Sequence, residues 1–286
     1  MASGWMWLSP DSDSDEDGVV KYSPVHLPGG LVVCYRHLRV ICSHCCVDYS
    51  LTRHEDDKEE EEEEEEEDDD DDNDDDKDEG RVIPKRFKGG DLDHFSSRLE
   101  MSNANIRYRD SRDPQRMLIY TDGACLNNGQ ADPRGGWAFD CSSVVVQGRL
   151  ERRGPWAGRK EEAVTAQTSN RAELRAVVAA LRYCDWAQGG RFTSLVIATD
   201  SEYVVQGATS WVKGWLRNGW QTRGGGDVKN RDLWECLLGE VEKASDRGLK
   251  VEFWRIPRDE NTVADEAAKK AAEGPAPEYF RNVVVS

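Results

Sequence analysis

Two apolar segments of this chain each end in an aspartate, and this pattern restricts the possible fold more than any other feature. The first reads MLIYTD and ends at Asp122, and the second reads SLVIATD and ends at Asp200. Aspartate is depleted in strands, and burying an isolated charge is costly. If the two strands are adjacent and parallel, both carboxylates emerge at one sheet edge, where a cation would neutralise them.

The sequence from Met117 to about Glu273 predicts a mixed α/β fold. Glycines between the early apolar runs favour an antiparallel meander, and apolar residues at helical spacing favour helices. The last helix is rich in alanine and ends at Gly274-Pro275. Strands are predicted at 117–121, 135–142, 143–151, 194–199 and 250–256, and helices within 169–186, 231–244 and 261–273.

Most of the negative charge lies in one tract. The formal net charge is −18, and residues 55–79 hold 22 acidic residues against two lysines, which leaves the rest of the chain near +2. Such a tract cannot bury apolar area, and we expect it to be disordered. It is either a solvated linker or an element that mimics nucleic acid or binds basic partners such as histones.

Composition divides the chain into five segments and excludes a membrane protein. We expect a disordered N-terminus at 1–30, a small Cys/His segment at 31–52, an acidic and polar linker at 53–115, a catalytic domain at 116–275 and a tail at 276–286. No apolar run reaches the length of a membrane span, and the first residues lack a secretory signal. We therefore expect an intracellular monomer, nuclear or cytoplasmic, with its cysteines as thiols.

Four acids occupy conspicuous positions: Asp122, Glu173, Asp200 and Asp265. Their convergence would suit two Mg²⁺ or Mn²⁺ ions, which prefer oxygen ligands and catalyse phosphodiester hydrolysis. Each acid also has a local alternative. Asp122 fits an Asx turn, Glu173 a capping partner of Asn170, Asp200 a helix N-cap, and Asp265 a solvated helix face.

Residues 117–273 resemble the ribonuclease H type 1 family. The matching stretches are IYTDGACLNNG with RGGWAF, TSNRAELRAVVAAL, ATDSEYVVQGATSWVKGWLRNGWQT with VKNRDLWECL, and ENTVADEAAKKAA. The resemblance implies a five-stranded mixed sheet, with three antiparallel and further parallel strands, flanked by helices. It also implies that the four acids bind two Mg²⁺ ions and that the RNA strand of RNA–DNA hybrids is cut to 3′-hydroxyl and 5′-phosphate ends.

The same resemblance assigns residues that contact the hybrid. Asn128, Asn170 and Gln206 match hybrid-contacting positions, and Cys125 matches a loop position whose backbone approaches the RNA strand. The segment WVKGWLRNGWQTRGGGDVKNRDLW, residues 211–234, resembles the basic protrusion that grips the DNA strand; we call it the basic protrusion. We expect its tryptophans to pack and its cations to bind phosphates. Its predicted contact residues are Lys213, Trp215, Arg217, Trp220, Arg223 and Lys229.

The N-terminal Cys/His segment has the spacing of a small metal site. Its candidate ligands are Cys34, His37, Cys42 and Cys45, which would suit Zn²⁺ in a reducing compartment. The alternative is a small apolar island that bears thiols. The segment resembles those that precede such domains in ribonuclease H-like proteins of filamentous fungi.

The sequence departs from the family pattern in the loop before the last acid. Many relatives have a histidine there, whereas this loop reads RIPRDENTVAD and every histidine precedes residue 116. Two other functions therefore stay open. The chain could be a hybrid-binding protein with weak catalysis, or an interaction protein that acts through its acidic tract.

We predict slower hydrolysis than in a histidine-bearing relative at low metal concentration. Arg255 and Arg258 lie in this loop and can stabilise a leaving phosphate, but arginine cannot act as a base near neutral pH. Arg255→His or Arg258→His should therefore raise the initial rate of hybrid hydrolysis at low Mg²⁺. If neither variant gains activity, the missing histidine does not limit the rate.

Overall fold

The structure is a computed structural model that describes most of the chain after residue 80. The described ranges are 81–88, 92–99, 106–142, 144–155, 164–190 and 192–283, with four two-residue strands between residues 25 and 48. These short strands pair as Val25–His26 with Val32–Val33 and Ile41–Cys42 with Val47–Asp48. The acidic tract lies outside the described residues.

A twisted mixed sheet forms the centre of the described part. Its strands are β1 (Lys85–Arg86), β2 (Phe95–Leu99), β3 (Ile106–Asp110), β4 (Arg116–Leu126), β5 (Arg134–Asp140), β6 (Val145–Arg149), β7 (Ser194–Thr199) and β8 (Lys250–Arg255). Six of them lie in the order β6-β5-β4-β7-β8-β1. The meander β4-β5-β6 is antiparallel, whereas β7 runs parallel to both β4 and β8. The five predicted strands and the mixed α/β fold are confirmed.

Three further strands correct the expectation of a polar linker before residue 116. Strand β1 extends the sheet beside β8, and the β2–β3 hairpin pairs with the first half of β4. Short strands with many charged residues give little period-2 signal, so the sequence did not reveal them. Phe87, directly after β1, and Phe95, the first residue of β2, lie against Trp254 of β8, with ring centroids 5.2 and 5.8 Å away.

The three predicted helices are present, and the structure adds a fourth helical region. The predicted ones are α1 (Ser169–Arg182), α4 (Arg231–Asp246) and α5 (Thr262–Ala272). Between β7 and α4, helix α2 (Glu202–Gln206), a π-helical turn (Gly207–Trp211) and α3 (Val212–Arg217) follow one another. Glycines and the π turn interrupt the 3.6-residue period, which is why the pattern missed this region. None of the helices in the described part combines the length and apolarity needed to cross a bilayer.

Both faces of the central strands are covered. Leu195 and Ile197 of β7 belong to the large core shared with α1 and α4, whereas Val196 and Ala198 face the smaller core that includes Phe87 and Phe95. A parallel strand buried on both faces reads as a continuous apolar run. This explains why the sequence SLVIAT does not alternate.

Two glycines allow helices to lie directly on strands. A Cβ at Gly123 would approach the backbone of Ala172 and Glu173 in α1 closer than 3.0 Å. A Cβ at Gly136 would equally collide with the backbone of α5, whose alanines provide the matching flat surface. Helix α1 therefore sits against β4 at the residue that follows Asp122.

Gly123→Ala should destabilise the protein by about 3 kcal/mol or more, because backbone cannot move aside as a flexible side chain can. Gly214→Ala is the matched control, since a Cβ there meets no atom within 4 Å and alanine favours a helix. Urea denaturation of both variants measures the difference. Equal midpoints for the two variants would contradict the close packing of α1 on β4.

Candidate active site

The parallel pairing of β4 and β7 brings the two strand-end aspartates together. Ile197 pairs with Ile119 and Ala198 with Tyr120, so Asp122 and Asp200 follow at the same edge of the sheet. Asp122 is 2% exposed, and the side chain of Asp200 is 6% exposed. The two carboxyl groups share a hydrogen bond. The predicted adjacency is confirmed.

Glu173 joins this pair from helix α1. The close approach of α1 at Gly123 holds the buried Glu173 carboxylate beside the strand, where it accepts a hydrogen bond from the Gly123 backbone N–H. One carboxylate oxygen from each of Asp122, Glu173 and Asp200 lies within 4.8 Å of the other two. Three acids from three separate elements thus form one cluster; we call it the acidic cluster.

Asp265, the fourth predicted acid, stands beside the acidic cluster rather than within it. It lies in the first turn of α5, and Lys269 Nζ donates to its Oδ2 at 2.6 Å. Its negative charge still contributes to the raised pKa of Asp122, after burial and Asp200. Asp265 is therefore close enough to act electrostatically on the cluster.

The local alternatives for Asp122, Glu173 and Asp200 do not match the geometry. Thr168 caps α1 by accepting from Arg171 N at 3.2 Å, and Ser201 caps α2 by accepting from Val204 N at 3.3 Å. Asp122 lies inside β4 instead of in a turn. Because neither helix cap nor turn requires these acids, their burial together needs another explanation.

Asn261 is a site residue that sequence reasoning missed. Its Nδ2 donates to the Thr121 carbonyl oxygen at 3.0 Å, to Asp122 Oδ1 at 3.3 Å and to Asp200 Oδ1 at 3.5 Å. The side chain is 1% exposed and lies just before α5. Asparagine is a common residue at the N-cap of a helix, so the sequence predicts an ordinary helix cap at Asn261. No local signal indicates that its amide bridges two acids.

Electrostatics in the acidic cluster are unfavourable without a cation. Burial, followed by the nearby Asp200 charge, raises the pKa of Asp122 to about 8. Burial and the charges of Asp122 and Asp200 also hold the pKa of Glu173 well above its ordinary value. Burial alone would raise the pKa of Asp200, but hydrogen bonds from Arg258 and Asp122 lower it.

The acidic cluster fits a divalent cation. Glu173 Oε2 is buried and accepts no hydrogen bond from the protein. A bound cation would give this oxygen the partner that it lacks. All three side chains offer oxygen, the ligand atom that hard cations such as Mg²⁺ and Mn²⁺ prefer. Asp122, Glu173 and Asp200 would hold such an ion, with Asp265 adjacent.

Three of the predicted hybrid contacts lie close together near the start of α1. Asn128 Oδ1 accepts from Ser169 N at 3.4 Å, and Asn170 is exposed one residue further on. Cys125 Sγ donates to the Gln167 carbonyl oxygen at 3.2 Å. Gln206 is half-buried in α2, the helix that begins directly after Asp200 and Ser201.

The basic protrusion divides as expected into packed tryptophans and exposed cations. Trp215 contacts the rings of Trp211, Trp220 and Trp234, and Trp220 is 5% exposed. The exposed cations are Lys213, Arg217, Arg223 and Lys229. Their contacts with nucleic acid stay predictions.

An ion pair ties the end of the basic protrusion to the helix that carries Glu173. Arg171 Nη1 donates to Asp232 Oδ1 at 2.8 Å and to Asn230 Oδ1 at 3.2 Å. The guanidinium is buried, and breaking such a pair leaves an uncompensated charge. The position of the protrusion is thus fixed relative to the acidic cluster.

The candidate zinc ligands fall almost entirely outside the described residues. Cys34, His37 and Cys45 lie outside the described residues, and of Cys42 only the strand backbone is described. The assignment of these ligands, and the resemblance of this segment to fungal proteins, stay predictions.

Buried acids at the ends of two parallel strands in a mixed sheet suit a metal-dependent hydrolase of the nuclease class. The family model described as RNase H matches residues 114–273, which is more than half of the chain. The chain therefore belongs to the RNase H family, and it is a ribonuclease H enzyme.

Named relatives agree with this assignment. Ribonuclease H of Treponema pallidum subsp. pallidum is 38% identical over 172 residues, which cover 56% of this chain and 95% of the relative. Ribonuclease H of Neorickettsia sennetsu is 36% identical over 155 residues, covering 54% and 91%. Among solved structures, the chain is similar to LC9-RNase H1, described as "a type 1 RNase H with the type 2 active-site motif". The two sequences are 27% identical, the TM-score is 0.37, and the match covers 55% of this chain and 72% of that one.

The raised pKa of Asp122 predicts how the stability of the metal-free protein depends on pH. A folded-state pKa of about 8, against 3.8 for the free group, means that the protonated form favours folding. The stabilisation from the protonated Asp122 is complete below about pH 4 and is lost as the pH rises through about 8. Each tenfold difference in proton affinity between the folded and unfolded states is worth about 1.4 kcal/mol. In EDTA, Asp122→Asn should therefore be more stable than the wild type at about pH 9 but not at about pH 4.

Chemical denaturation across this pH range measures the effect. Asp259→Asn is the control, because Asp259 is an exposed acid in the turn before α5 and lies outside the acidic cluster. An Asp122→Asn variant whose stability follows the wild-type curve across this pH range would contradict the electrostatic cost of ionising Asp122.

Proposed function

We propose that this protein hydrolyses the RNA strand of RNA–DNA hybrids at the acidic cluster, with Mg²⁺ as its cofactor. The observation that carries the proposal is the approach of three buried carboxylate oxygens to within 4.8 Å of one another. Like charges at this separation repel strongly in a poorly hydrated site unless a cation offsets them. Membership of the RNase H family supplies the class of reaction.

The reaction adds water across a phosphodiester of the RNA strand. The water oxygen forms a new bond to phosphorus, the bond from phosphorus to the 3′-oxygen breaks, and the products are a 3′-hydroxyl and a 5′-phosphate. When bound, two divalent ions activate the water and stabilise the leaving oxygen. Mg²⁺ is the proposed ion, and Mn²⁺ fits the same oxygen ligands.

The side chains of the site have separate tasks in this proposal. Asp122, Glu173 and Asp200 hold the ions, and Asp265 assists from the edge of the cluster. Asn261 keeps the two aspartates in register through its bridging amide. If the acids were held farther apart, they would have to move together before each turnover. Holding them in place in advance removes the free-energy cost of that movement.

Contacts away from the acidic cluster recognise the hybrid. Cys125, Asn128, Asn170 and Gln206 lie on the elements that flank the cluster and are proposed to face the RNA strand, which a protein distinguishes by its 2′-hydroxyl. The cations of the basic protrusion are proposed to bind phosphates of the DNA strand, which would make binding sensitive to salt.

The decisive experiment is cleavage of a labelled RNA–DNA hybrid in Mg²⁺, run beside double-stranded DNA and single-stranded RNA. We expect cleavage of the hybrid's RNA strand alone. Asp122→Asn should reduce the rate by at least about 100-fold, because groups that merely support a metal ligand are already worth about 10- to 100-fold. Asp259→Asn removes one negative charge from an exposed position and should leave the rate near that of the wild type.

Other outcomes identify the competing functions. Tight binding of the hybrid without cleavage would make the protein a hybrid-binding protein. A chain lacking residues 55–79 tests the acidic tract. Unchanged hydrolysis with loss of histone binding would make the tract a docking element, and faster hydrolysis would make it an inhibitor.

A further inference from the structure

Arg258 places a guanidinium on one of the proposed metal ligands. Its Nε donates to Asp200 Oδ2 at 2.7 Å, although the Arg258 side chain is 80% exposed. The loop that carries it is anchored, because Ile256 N donates to the Thr199 carbonyl oxygen at 3.0 Å and Ile256 is buried. Arg258 follows two residues later, after Pro257, in a 3₁₀ turn. The backbone thus fixes where this flexible side chain starts.

Both oxygens of Asp200 are occupied in this arrangement. Arg258 holds Oδ2, and the Asn261 amide lies 3.5 Å from Oδ1. Asn261 also serves Asp122 and cannot leave its buried position without breaking three contacts. The exposed Arg258 side chain, in contrast, can move away into solvent. Asp200 Oδ2 is therefore the oxygen that an incoming cation can bind.

We propose that Arg258 competes with the divalent metal for Asp200 and so sets the metal concentration that the enzyme requires. The inference rests on the proposed function, since it takes the acidic cluster as the metal site. In metal-free protein the guanidinium stands in for the cation and offsets part of the repulsion among the acids. Metal binding at Asp200 Oδ2 displaces it.

The strength of this competition follows from its exposure. Exposed ion pairs contribute little, because solvent screens them and ordering an arginine side chain costs entropy. Arg258 therefore lowers metal affinity without preventing binding. We expect Arg258→Ala to bind the first ion about two- to fivefold more tightly.

Arg255 provides a matched control three residues earlier, at the end of β8. Its Nη1 lies 2.9 Å from Glu202 Oε2, and both side chains are about half-exposed. Removing Arg255 deletes the same charge from the same segment without freeing an oxygen of the acidic cluster. A general electrostatic effect would appear in both variants, whereas competition for Asp200 would appear only at Arg258.

Isothermal titration calorimetry of the full chain with MnCl₂ and with MgCl₂, without nucleic acid, tests the proposal. Arg258→Ala should bind more tightly than the wild type, Arg255→Ala should match the wild type, and Arg258→Lys should fall between, because an ammonium pairs with a carboxylate as a point charge. Thermal unfolding adds a second measure. Metal should raise the midpoint of Arg258→Ala by more than that of the wild type.

Unchanged or weaker metal binding by Arg258→Ala, or equal gains in Arg258→Ala and Arg255→Ala, would overturn the proposal. These results are separate from the cleavage assay. Hydrolysis by the wild type together with unchanged affinity in Arg258→Ala refutes the competition alone. Tighter binding in Arg258→Ala without hydrolysis supports the competition and refutes the proposed function.

Discussion

The parallel pairing of β4 with β7 is the interaction on which the whole site depends. It is buried on both faces, and its register carries Asp122 and Asp200 to the same edge of the sheet. A shift of one residue in either strand would turn every side chain to the opposite face. The hydrophobic cores that stabilise this pair therefore also determine where the two carboxylates meet.

Close contact between helices and strands completes the site. Gly123 lets α1 lie on β4 so that Glu173 reaches the two aspartates, and Gly136 lets α5 lie on β5 with Asp265 near the cluster. A side chain at either glycine would push a helix outward and separate the acids. The absence of a side chain at two positions is thus as important to the site as the acids themselves.

The acidic cluster opposes the folding that creates it. Burial and mutual repulsion raise the pKa values of Asp122 and Glu173, so ionised carboxylates at this position cost free energy in the metal-free protein. Asn261 and Arg258 reduce this cost in different ways. The buried amide bridges two carboxylates permanently, whereas the exposed guanidinium makes a contact that a cation can replace.

The sequence by itself determined the mixed α/β class, five central strands and three helices, because apolar periodicity is a local signal. It also marked Asp122, Glu173, Asp200 and Asp265 as candidate acids, which the family resemblance favoured over their local alternatives. It did not reveal β1 to β3, near which Phe87 and Phe95 contact Trp254, or the helical region 202–217, whose period is broken by glycine and a π turn. Tertiary structure alone decided that Asp265 stands at the edge of the cluster, that Asn261 bridges two acids and that Arg258 covers Asp200. Those contacts depend on how the elements pack, and only packing sets the distances between them.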